Sequence, residues 1–153
     1  MVTNFYLITK NKVARDKYFR YEYNITDEPA WGYAIHIART SDGWLPLFNG
    51  WDCFKSIREL KSVYDTGLFT IYDEYGTSYN WEEFDKRVLQ FNGGVKGAIA
   101  QEKVEQDKNY PYYNSNIMIN RPISHFDYAS GRYAYRYYTD EDGYEFARSE
   151  FGM

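Results

Sequence analysis

Cysteine is nearly absent, with Cys53 the single example. No disulfide can form within the chain, and the composition suits a reducing cytosol. Histidine is almost as scarce, limited to His36 and His125. One thiol and two distant imidazoles do not make the closely spaced ligand set of a zinc site. Cys53 has no base beside it in sequence, which argues against a thiol nucleophile. No apolar run approaches the roughly 18 residues of a membrane span. Residues 1–10 lack the basic flank and long apolar stretch of a secretion signal, so a cytoplasmic location in a host cell is expected. Gly93, Gly94 and Gly97 lack the lysine–serine ending of a phosphate-cradling loop. The net charge is only -4, so no broad basic face is available to neutralise nucleic-acid phosphates. The imbalance is also too mild for a polyanionic mimic of DNA.

What the chain has in abundance is rings. Aromatic residues make up 21% of it, with 18 Tyr, 10 Phe and 4 Trp. With 153 residues, 44% of them hydrophobic, it can fill one core, and a single domain over residues 1–153 is expected. Such a core cannot hold every ring. Many tyrosines must keep their hydroxyls near water or near a partner. Tyrosine covers sheets well, which accounts for much of the count. The total still points to an aromatic contact surface.

Periodicity gives an α+β reading: a mainly antiparallel sheet of about five to seven strands with two short helices. Phe5–Thr9 reads as a strand. Tyr18–Tyr23 alternates and reads as another. Tyr33–Ala38 is the clearest strand, with Tyr33, Ile35 and Ile37 on one face and Ala34, His36 and Ala38 on the other. Ser41-Asp42-Gly43 turns the chain into Trp44–Phe48, where Pro46 suggests an edge or a bulge. Ser56 and Glu59 have capping-box spacing before Ile57, Leu60 and Tyr64, and Gly67 is a left-handed stop. Leu68–Tyr72 reads as a strand. Asn80 with Glu82 and Glu83 opens a second helix that Asn92-Gly93-Gly94 ends. Ala98 to Val104 has a weak helical pattern, Ile117–Ile119 reads as a short strand, and Arg121–Gly131 reads as a long loop. Asp142-Gly143 predicts a final hairpin between Tyr133–Thr139 and Tyr144–Phe146.

Asp73-Glu74-Tyr75-Gly76 and Asp140-Glu141-Asp142-Gly143 echo each other when aligned on glycine. Each continues to an aromatic and then to a Glu-Phe pair, Glu83-Phe84 or Glu150-Phe151. Shared turn chemistry explains the match more simply than duplication. The second segment lacks the ligand spacing of a calcium loop. The acidic groups Glu82-Glu83-Asp85 and Asp140–Asp142 read as a helix start and a solvated turn, with a basic partner as the alternative.

Ile35 to Phe48, with its His-Ile-x-x-x-Ser-x-Gly-Trp pattern (His36, Ile37, Ser41, Gly43, Trp44), resembles a segment of small uncharacterised bacteriophage proteins. Ile71–Gly76 with Glu82-Glu83-Phe84 resembles them too. The likeness spans about Tyr33 to Phe91 and brings no catalytic residue with it. It implies a counter-defence role: a non-enzymatic inhibitor of a host protein such as a CRISPR nuclease, or a binder of a signalling nucleotide.

Three functions therefore stand open. The first is a non-enzymatic, anti-CRISPR-like protein that binds a host protein, with contacts at Tyr110, Tyr112, Tyr113, Tyr128, Tyr133, Tyr135 and Tyr137 and support from acidic groups. The second is nucleotide binding at His36 and Trp44. The third is a small nuclease in which His36 and His125 act as acid and base. No cofactor, metal or membrane is expected. Direct nucleic-acid binding is not expected, and self-association stays open.

Overall fold

The computed structural model describes residues 2–20, 22, 26–28, 32–94, 122–129 and 134–148. The tyrosines at 21, 23, 110, 112, 113 and 133 lie outside them, as do the expected elements at 98–104 and 117–119.

Among the described residues eight strands form one sheet, antiparallel except for one pair. In chain order they are β1 (Val2–Thr9), β2 (Thr26–Glu28), β3 (Gly32–Ser41), β4 (Leu47–Asn49), β5 (Thr70–Asp73), β6 (Ser78–Tyr79), β7 (Tyr137–Thr139) and β8 (Glu145–Ala147). Seven run in the order β6-β5-β1-β3-β4-β8-β7, and β2 pairs with the start of β3. The long β3 is central, so Ala34 through Ala38 are all buried. Its alternation is interrupted. Phe5 pairs with Ala38 and Tyr6 with His36, leaving Ile37 as an extra residue opposite β1. That bulge corrects the strict two-face pattern expected for Tyr33–Ala38.

Four helices flank the sheet among the described residues: α1 (Lys12–Tyr18), α2 (Ile57–Asp65), α3 (Trp81–Phe84) and α4 (His125–Tyr128). Leu60, Val63, Phe84 and Val88 join Phe5, Leu7, Ile35, Phe48, Ile71 and Phe146 in one buried cluster. α1 overturns the strand expected from Tyr18. Asn11 accepts from the amides of Val13 and Ala14 and starts a helix that ends at Tyr18. Phe19 and Tyr18 then both pack on Phe69. α4 lies within the stretch read as a long loop. Pro46 marks no edge: β4 begins one residue later and lies between β3 and β8.

The two expected helices are capped by the residues that predicted them. Asn80 and Glu83 exchange bonds of 2.8 and 3.0 Å. The helix then widens into a π-helical segment, Asp85–Leu89. Ser56 Oγ accepts from the Glu59 amide at 3.1 Å. The Glu59 carboxylate reaches back one residue further than a standard box, to the Lys55 amide.

The sequence echo is an echo of geometry. Asp73 Oδ1 accepts from the amides of Tyr75 and Thr77, and Asp140 Oδ1 accepts from those of Asp142 and Tyr144. Gly76 and Gly143 both have φ of 87°. The remaining oxygens differ. Asp73 Oδ2 takes the Tyr79 hydroxyl, whereas Asp140 Oδ2 takes the Ile57 amide at the start of α2. Arg58 then forks onto Asp142 at 2.8 and 2.9 Å. The second acidic turn is thus a cap for a helix 83 residues away in sequence. D140A should lower unfolding free energy by about 2–3 kcal/mol, since three amides lose an acceptor. Urea denaturation monitored by circular dichroism measures this, and a loss no larger than that of E141A would contradict the assigned role.

Candidate functional site

Rings from three separate stretches converge beside β8. The turn at Ser41–Gly43 delivers Trp44, whose amide donates to the Ser41 carbonyl at 3.0 Å. Residues 43–45 then zip onto Ile123: its amide donates to the Gly43 carbonyl, and its carbonyl accepts from Leu45. This brings α4 alongside. The His125 ring lies 4.7 Å from Trp44, Tyr128 meets Trp44 edge-on at 5.3 Å, and Tyr137 lies 6.1 Å from His125.

Glu145 holds this arrangement from beneath. It is 3% exposed and accepts from the amides of His125 (2.8 Å) and Phe126 (3.3 Å) and from Ser124 Oγ. His125 Nδ1 lies 3.1 Å from Oε2 of the same carboxylate. An ionised carboxylate only accepts, so Nδ1 carries the proton and the imidazole is fixed in one orientation. Burial pushes the Glu145 carboxyl up, but the hydrogen bonds from His125 and Ser124 outweigh it and hold the group below its usual 4.5.

Outside this support, large aromatic and apolar side chains stand exposed. Tyr128 is 76% exposed and Tyr135 67%, and Ile123 and Phe126 are also exposed. Of the residues named from sequence, the structure brings Trp44, Tyr128 and Tyr137 into one cluster around His125, and Tyr135 stands in the turn just before β7. The sequence offers His125 only as a partner of His36. Glu145 carries no signal in sequence, because its role depends on β8 lying under α4.

His36 does not reach His125, whose contacts are Glu145, Trp44 and Tyr137. It is 2% exposed, stacks on Tyr6 at 5.1 Å and has Nε2 3.1 Å from the Ala38 carbonyl. A ring so covered offers no face to a nucleotide. Burial drives its pKa down to about 4. Ser124 Oγ faces the carboxylate rather than the imidazole, so the nucleophile–base contact of a hydrolytic triad is not formed. Burial also raises the Cys53 thiol to about 12, which leaves it inert at neutral pH. No metal-binding group of three or more His, Cys, Asp or Glu side chains occurs among the described residues. No helix there is long and apolar enough to cross a membrane. Of the acidic groups, Asp140, Asp142, Glu82 and Glu83 are each engaged by donors of the chain itself.

Compared with protein-family models, curated proteins and solved structures, the chain matches none.

Two measurements test the electrostatics. The folded state holds His36 neutral while the unfolded chain binds a proton below 6.5. The His36 contribution to stability is therefore full above pH 6.5, declines towards pH 4 and levels off below, losing up to roughly 3 kcal/mol. H36Q should flatten the stability profile in that window, as read by urea titrations at stepped pH. Glu145 acts lower. Its contribution is present above 4.5 and disappears as pH falls through its depressed folded value. E145Q, which keeps the shape but loses the charge, should destabilise by about 2–3 kcal/mol at pH 7 and by much less at pH 3.

Proposed function

We propose that this chain works by binding a host protein through the ring surface of Ile123, Phe126, Tyr128 and Tyr135, without transforming it. The observation that carries this reading is the combination of exposure and rigidity. Tyr128 is 76% exposed yet seated edge-on against Trp44, which in turn lies tilted against an imidazole held by a buried carboxylate. Rings already ordered in the free state lose little entropy on binding. Interface anchors are typically of this kind: aromatic, ordered and flanked by apolar neighbours.

The likeness of Ile35–Phe48 to small phage proteins supports a partner among host defence proteins, a nuclease being the leading class. The rings rather than acidic groups would then make the contact, because the acidic turns are already spent on helix caps and on Arg58. Self-association through the same rings is the competing outcome.

The test compares wild type with F126S/Y128S, both substitutions at exposed positions. Melting temperature should stay within a few degrees of wild type. Capture of the partner from host lysate should fall by about thirtyfold or more, the equivalent of roughly 2 kcal/mol at a binding anchor. Equal recovery by both proteins, or recovery of nothing at micromolar bait, would count against the reading. Concentration-dependent dimerisation of wild type alone would point instead to a second copy as the occupant.

A further inference from the structure

Arg87 sits in the π-helical segment after α3 and is half-buried. The Phe5 and Phe91 rings hold its guanidinium, with ring centroids 5.3 and 5.4 Å from Cζ. Its one hydrogen bond among the described residues is long: Nη1 donates to Thr40 Oγ1 at 3.4 Å. No carboxylate among the described residues pairs with it. Arg58, by contrast, is forked onto Asp142, and Arg15 meets Asp16. The acids of its own helix are already used: Glu82 pairs with Lys86, Glu83 accepts from the Asn80 amide, and Asp85 accepts from Gln90.

A guanidinium carries five N–H donors in a planar fork. Contacts with ring faces fix its position without using any of them. A partly desolvated charge with no counter-ion is unfavourable, and an oxyanion at its free edge would relieve that. Two features fit such a ligand. Thr40, paired with Thr3 across β3 and β1, is 1% exposed, so its hydroxyl anchors Nη1 and leaves the remaining donors of the fork unspent. The π turn also inserts an extra residue into the helix, a distortion that recurs at functional sites.

We propose that Arg87, positioned by Thr40, forms an oxyanion-binding site for a carboxylate or a phosphate group. The fork matches either one in a bidentate, charge-assisted geometry. The site is independent of the ring surface at α4 and does not rest on the function proposed for it.

The experiment follows the Arg87 Nε–H resonance of wild type by NMR at constant ionic strength. Chloride is exchanged for inorganic phosphate in one series and for acetate in another. A saturable shift at Arg87, with Arg58 unmoved, is expected. A response to phosphate alone identifies a phosphoryl ligand, and a response to acetate as well identifies a carboxylate ligand. R87K should weaken binding by about tenfold through loss of the fork, and R87Q should abolish it. The proposal is overturned if Arg87 moves no more in either anion than in chloride. It is equally overturned if R87Q still shows a saturable shift at the Thr40 amide.

Discussion

Two carboxylates on one hairpin tie the molecule together. Asp140, in the turn between β7 and β8, accepts amides from its own turn and from the start of α2. Glu145, five residues later on β8, accepts from Ser124, His125 and Phe126 at the start of α4. Each buys its desolvation back from backbone donors that a helix start would otherwise leave unpaired. The hairpin thereby fixes two elements that are far from it in sequence. Its own place is set by the parallel pairing of β8 with β4, where Phe146 lies against Phe48. Tyr138 adds a stay by donating from its hydroxyl to the Lys55 carbonyl just before α2.

This arrangement explains why rings can stand exposed without collapsing. A surface of Tyr and Phe normally risks folding onto itself or recruiting the wrong neighbour. Here Trp44 is pinned by its turn, His125 by Glu145, and Tyr128 by Trp44. Order at the surface is supplied by polar bonds beneath it. The histidine of this site therefore serves as a positioning ring, while the other histidine is a neutral core residue.

Local rules made a good part of the fold legible. Ser56, Asn80, Gly67, Gly76 and Gly143 each satisfy a backbone need within a few residues, and each was readable from spacing alone. The repeated Asp-x-x-Gly turn was visible for the same reason. Failures arose where a local pattern was ambiguous or a distant contact decided the outcome. Tyr18–Tyr23 alternates as a strand would, yet Asn11 starts a helix that runs to Tyr18. Bulging at Ile37 depends on how β1 aligns, and the π segment carries Arg87 onto the Phe5 ring. Neither has a sequence signature.

Sequence alone therefore determined the fold class, the local caps of α2 and α3, the hairpin turns and the surplus of rings over core volume. All of these are set by composition or by bonds closing within about eight residues. Tertiary structure decided which rings share a surface and which carboxylate supports which helix. It also decided that His125 meets Glu145 instead of His36. Those contacts join residues 12 to 84 positions apart, and their strength comes from burial that exists only once the sheet has assembled.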